Sequence, residues 1–193
     1  MKRVAASLAL LAAACDAPQV RLGNAPDWSA VKADLARRVE EDQALRSEVM
    51  AAQPITLELA ERLGAVDADN TAWMKDLITR HGWPTRARVG EKGAGDAWLL
   101  VQHADHDVEF QELCLALLRA AVEQGQASET NLAYLADRVA LHRGRPQRYG
   151  TQFVERNGEL VPYELEDPAQ VDKWRAEVGL GPLAEYAERL RKR

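Results

Sequence analysis

Apolar side chains recur every three or four positions through most of this chain, the spacing that lines one face of an α-helix. Residues 28–51 carry Val31, Leu35, Val39, Leu45 and Val49 in that pattern, and Gln53-Pro54 follows, where proline removes a backbone donor and ends the helix. Residues 56–63 predict a short helix stopping at Gly64. A further helix runs from a cap at Asp67 or Asp69 to Arg80, closed by Gly82 and Pro84. Residues 84–95 hold Arg86, Arg88, Lys92 and three glycines and predict a basic, solvated loop. The P-loop spacing and its Lys-Ser or Lys-Thr ending are missing, so phosphate cradling has weak support there. Asp96 is then expected to cap the longest helix, 97–123, which ends at Gly125. Ser128 starts another, reaching His142 before Gly144 and Pro146 stop it.

The pattern changes over residues 147–165. Asn157-Gly158 separates Phe153-Val154-Glu155-Arg156 from Glu159-Leu160-Val161, and Asn-Gly between short alternating runs is a hairpin signal. That register places Arg156 opposite Glu159 and Val154 opposite Val161. Asp167-Pro168 opens a helix with Val171, Trp174 and Val178 on one face, and Gly181-Pro182 opens the last, whose cationic end suits a helix C-terminus. The expected architecture is mainly α: one helical bundle over residues 28–193 with one small β-hairpin near residues 152–162.

The first residues carry a different message. Lys2-Arg3, an apolar run from Val4 to Leu11, and Ala12-Ala13-Ala14 before Cys15 follow the order of a secretory signal peptide. The run is shorter than the ~20 residues a spanning helix needs. Residues 1–14 are therefore expected to be a signal peptide and 15–27 a tether, with Cys15 the lipidated first residue of an exported, envelope-anchored protein. The usual Leu three positions before the cysteine is here Ala12, so plain cleavage after Ala14 is the other option. A net charge of −5 argues against a general nucleic-acid binder. Of the two cysteines, Cys114 sits in Leu113-Cys114-Leu115 and reads as a small buried hydrophobe. A nucleophilic Cys114 would need electropositive neighbours, and its sequence surroundings offer none.

Candidate chemistry comes from polar groups on apolar faces. Along the helix 97–123, His103, Asp107 and Gln111 lie among Leu100, Phe110, Cys114 and Leu118, while Gln102, Asp105, Glu109 and Glu112 lie on the solvated side and His106 at the border. In the first helix Asp42 and Arg46 each fall about 20° from Leu35, four residues apart and able to pair within the apolar stripe. An unpaired buried charge costs several kcal/mol, so these groups must meet each other or border a polar cleft. A second candidate surface is the loop from Arg145 to Gln152, which carries Arg148, Tyr149 and Thr151 and joins rigid elements.

Asp42-Gln43-x-x-Arg46, Gly82-Trp83-Pro84, Trp98-Leu99-Leu100-Val101-Gln102-His103-Ala104-Asp105, Gln111, and Arg145-Pro146-Gln147-x-Tyr149-Gly150-Thr151-Gln152 followed by Asp167-Pro168 resemble a bacterial domain family of unknown function across residues 31–186. The resemblance implies that these residues matter and supplies no activity.

The functional expectation is a polar pocket between helices for a small ligand, with His103 as base or hydrogen-bond donor and Asp107 fixing its tautomer. Asp42, Gln43, Gln111, Tyr149, Thr151 and Gln152 would line it, and Arg46, Arg145 and Arg148 would hold an anionic part of the ligand. No cofactor is expected. The metal variant, with His103 and Asp107 as two ligands, still needs a third from His81, His106 or His142. The rival class is a non-enzymatic envelope module that binds a protein or peptidoglycan and whose inner polar set only fixes helix register.

Overall fold

A computed structural model of the chain describes residues 25–52 and 54–192. The predicted signal peptide and Cys15 lie outside the described residues. Seven helices and one two-stranded antiparallel sheet make up the described part, so the fold is mainly α with a small hairpin.

Asp27 starts α1 (Trp28–Ala51) by accepting from the Ser29 N–H at 2.9 Å and the Ala30 N–H at 3.4 Å, which satisfies donors that the first turn leaves free. Val31, Leu35, Leu45 and also Asp42 are buried along it. α2 (Leu57–His81) begins at the Thr56 cap and runs unbroken through Gly64. The two helices expected here are thus one. A glycine inside a helix costs only about 1 kcal/mol, and packing of α2 on α1 and α3 outweighs it.

The expected loop at 84–95 is also helical. α3 (Arg86–Gln102) starts beside Thr85 with one short turn, breaks at Gly90, and continues to Gln102. Gly90 has φ 76°, a left-handed conformation that side-chain-bearing residues rarely adopt. Glycine here kinks a helix instead of ending it. Asp96, expected as a cap, lies inside α3 and pairs with Lys92 at 2.6 Å.

The long helix expected from 97 to 123 is two. Between α3 and α4 (Val108–Glu123) the chain turns at residues 103–107, and Asp107 caps α4 by accepting from the Phe110 N–H at 3.0 Å. Ala104-Asp105-His106-Asp107 supplies two aspartates, which compete with helical backbone bonds and favour caps. Gln111 then closes the end of α3 by donating to the Val101 carbonyl at 3.1 Å and the Gln102 carbonyl at 3.4 Å. Gln102 is buried and not on a solvated face, because one helical phase does not span the turn.

α5 (Glu129–His142) starts at Ser128 and packs on α4. Strands β1 (Phe153–Arg156) and β2 (Glu159–Pro162) pair Val154 with Val161 and Arg156 with Glu159, the predicted register. α6 (Val171–Glu177) and α7 (Leu183–Arg191) follow, with α7 lying on β2. The core gathers Leu35, Met74, Val89, Leu100, Val101, Cys114, Leu118 and Leu135 from α1 to α5. Among the described residues no helix is long and apolar enough to cross a membrane.

Candidate functional site

Three helices bring four polar side chains together at the edge of this core. Asp42 and Arg46 stand one turn apart on α1, Asp67 projects from α2, and His103 caps the C-terminus of α3. His103 has φ −92° and ψ 2°, the sparsely populated bridge region in which many site residues sit. Arg46 donates from Nε to Asp42 Oδ1 at 3.0 Å and from Nη2 to Asp67. The predicted Asp42–Arg46 pairing inside the apolar stripe therefore exists, extended by a second carboxylate.

His103 Nδ1 lies 3.1 Å from Asp42 Oδ1 and 3.0 Å from Oδ2, and 3.0 Å from Arg46 Nε. Nδ1 cannot both donate to the carboxylate and accept from the guanidinium. Asp42 is the stronger acceptor for both donors, since charge-assisted bonds to a carboxylate are favoured over a bond to a neutral ring nitrogen. Nδ1–H therefore points at Asp42, and in the neutral ring Nε2 carries the lone pair. No described residue makes a hydrogen bond to Nε2.

The set is partly exposed. Asp42 is fully buried, whereas the side chains of His103, Asp67 and Arg46 retain 16%, 18% and 25% of their exposure. Burial raises the Asp42 carboxyl, but hydrogen bonds from His103 and Gln43 and the charges of His103 and Arg46 outweigh it and hold the group below its ordinary value. Burial and the Asp42 charge push Asp67 the other way, above its ordinary value, against the pull of Arg46. Gln43 supports Asp42 from Nε2 to Oδ2 at 2.8 Å.

The other expected members lie elsewhere. Asp107 makes its hydrogen bonds with Phe110 N and Lys75, and these, led by the Lys75 bond, hold its carboxyl below the ordinary value. The carboxylate that orients His103 is Asp42, not Asp107, because the turn at 103–107 breaks the assumed helical face. Gln111 is fully buried and occupied by α3 carbonyls, by Asp105 at 3.2 Å, and through Oε1 by His142 Nδ1 at 3.1 Å. His106 is exposed. Cys114 is buried, and burial first, then the charge of Asp107, pushes its thiol far above the ordinary range, which removes it as a nucleophile.

The loop 145–152 is organised by two residues the sequence did not single out, Asp137 and Arg175, and by Gln147 of the loop itself. Buried Asp137 on α5 accepts from the N–H groups of Arg148 at 2.8 Å, Tyr149 at 3.0 Å and Thr151 at 2.9 Å, and from the Thr151 hydroxyl at 2.9 Å. Gln147 accepts from Gln152 N at 2.9 Å and donates to the carbonyls of Gln152 and Tyr163. Arg175 on α6, fully buried, donates to the Tyr149 carbonyl at 2.6 Å. Thr151 and Gln152 thus hold the loop itself, while Arg145 is exposed and Arg148 pairs with Glu166 at 3.0 Å. Asp67 was legible only as a cap. Asp137 shares its face of α5 with Ala133, Tyr134, Ala140 and Leu141, a polar group on an apolar arc whose partners lie in the loop.

Arg46, expected to hold an anion, has its Nε and Nη2 donors on two carboxylates. Asp42, Asp67 and His103 each offer a ligand atom, all within 4.8 Å of one another. Neither His81, His106 nor His142 belongs to that cluster.

The profile of a family described as a family of unknown function, DUF6624, matches residues 29–192, and the chain belongs to that family. No curated protein and no solved structure matches it.

Proposed function

We propose that this family member uses His103 as a general base on a small polar ligand bound at the mouth of the α1–α2–α3 junction. The observation that carries the reading is the Asp42–His103 contact: a buried carboxylate holds Nδ1, and Nε2 remains without a described partner on a side chain that reaches solvent. A ring so held presents its free nitrogen in one orientation, and a proton arriving on Nε2 from a ligand hydroxyl or a water places positive charge beside a desolvated carboxylate. Two carboxylates against one guanidinium leave the site negative while the ring is neutral, which favours a neutral or cationic ligand over an anion.

The ion-ligand cluster gives the metal reading its specific support. Asp42, Asp67 and His103 would be the protein ligands, and Arg46 would have to leave the carboxylates it bridges. A hard or borderline divalent ion suits two carboxylates and an imidazole. The rival reading, an envelope-binding module with a purely structural network, calls for a sealed set. Partial exposure of three of the four groups weighs against it.

We also take the chain to be exported and lipid-anchored through Cys15, on the strength of residues 1–15.

The test is a thermal-shift and turnover screen of wild type, His103→Gln and His106→Gln against small polar metabolites and divalent metals. His103→Gln is expected to lose ligand response or activity with little change in melting temperature, and His106→Gln to behave as wild type. A metal reading predicts a divalent-dependent shift that Asp67→Asn abolishes and Arg46→Met strengthens. A large stability loss in His103→Gln, with no ligand for wild type, would assign the set to scaffolding.

A further inference from the structure

Away from His103, a cleft of about 720 Å³ opens between α4, α5 and the loop 145–152. Leu115 and Val139 supply apolar wall, and Arg119, Arg145, Arg148 and Tyr149 supply its polar groups. Arg119 and Arg145 are exposed and make no ion pair or side-chain hydrogen bond among the described residues. Arg145 lies close enough to Glu112 to help lower that carboxyl, after the stronger contribution of Arg143, which pairs with Glu112 directly. Arg148 is positioned twice over, by Glu166 at 3.0 Å and by stacking 3.8 Å above the Trp174 ring.

Two carboxylates also border the cleft, and both already have partners. Glu166 is matched by Arg148, and Asp137 is enclosed by four donors from the loop. Three guanidinium groups against two committed carboxylates leave the cleft electropositive. The loop that carries Arg145, Arg148 and Tyr149 is fixed beforehand by three buried polar side chains, Asp137, Gln147 and Arg175. Such fixing lowers the ordering cost that a flexible arginine loop would meet on binding.

We infer that this cleft binds a small organic oxyanion, a phosphate or carboxylate group carried on an apolar body, with Arg119 and Arg145 on the oxyanion and the body against Leu115, Val139 and Tyr149. Planar guanidinium forks match both oxyanions, and a cleft of this size with an apolar wall and a few polar groups falls within the range of small-molecule sites. The inference is independent of the His103 reading, since no residue is shared.

Calorimetric titration of the full chain with phenyl phosphate, benzoate and inorganic phosphate tests it. Phenyl phosphate or benzoate is expected to bind, and whichever binds more tightly identifies the oxyanion. Arg119→Ala and Arg145→Ala, both exposed and harmless to folding, should each weaken binding ~10-fold, the loss of one charge-assisted contact, with added salt weakening it further. His103→Gln should bind as wild type, so failure of the His103 site and failure of this one are distinguishable. Absence of binding by both organic probes at millimolar concentration overturns the inference. So does inorganic phosphate binding as tightly as phenyl phosphate, or unchanged affinity in both arginine variants.

Discussion

Asp42 on α1 presents both carboxylate oxygens to His103 Nδ1, at 3.1 and 3.0 Å, across 61 residues of sequence. One partner is sealed in the core and the other reaches solvent, so protonation of the buried partner should be felt as stability. The folded Asp42 carboxyl lies below its ordinary value. Its contribution is therefore present above the unfolded value, about 3.9, and is lost as pH falls through the folded value. Denaturant melts across pH should find Asp42→Asn less stable than wild type at neutral pH, with the gap closing in acid. Asp67 is raised, so its contribution has the opposite sign: present below the unfolded value and lost as pH rises through the folded one. A pH-independent gap for Asp42→Asn would contradict the ionised pair.

Arg46 bridges two carboxylates, so removing it strands both, one of them fully buried. Arg46→Met should cost about 2–3 kcal/mol, at the low end for a broken buried pair because the arginine keeps some exposure. The double change with Asp42→Leu should cost less than the single one, since no buried charge is then left alone. Melts of the three variants decide it, and additive losses would mean that the two groups do not interact.

Much of the fold was readable from periodicity and punctuation. α1, the start and end of α5, and the hairpin register all follow from caps, stops and the Asn-Gly turn. Gly64 and Gly90 misled for a common reason: glycine permits an ending without compelling one, and neighbouring helices decided. The turn at 103–107 did more damage to the site. It broke the helical face that seemed to join Asp107 and Gln111 to His103, whereas the face on α1, an unbroken helix, identified Asp42 and Arg46. Asp67 and Asp137 take their meaning from partners in other elements, which a one-helix projection cannot contain.

Asp137 is the organiser of the second candidate surface, and its four donors come from three residues of one loop. Asp137→Asn keeps the volume but replaces one acceptor oxygen with a donor facing N–H groups. A loss of about 2–4 kcal/mol is expected from the unsatisfied, buried bonds. Hydrogen exchange should show the amides of Arg148, Tyr149 and Thr151 losing protection first. Retained protection at those three amides would show that other contacts fix the loop.

The N-terminal segment makes a prediction separate from the fold. Protein purified from its native host should begin at Cys15 and carry acyl chains, which mass spectrometry of the N-terminus reads directly. An unmodified Cys15 would leave plain cleavage after Ala14, and an intact Met1 would remove the export signal altogether.

The loop 145–152 leans on the end of the chain as well as on α5. Arg175 donates to Gly181 and Tyr149 carbonyls at 2.6 Å each, Tyr186 donates to the Thr151 carbonyl at 3.3 Å, and a Cβ at Gly150 would stand 2.8 Å from Leu183 Cδ1. Gly150 also has φ 61°, a backbone shape that side-chain-bearing residues rarely adopt, and a Cβ there would make the Leu183 side chain shift. If the cleft binds a ligand, lesions in α6 and α7 would therefore masquerade as affinity defects, with every cleft arginine intact and the damaged position far downstream of the two loop arginines it displaces.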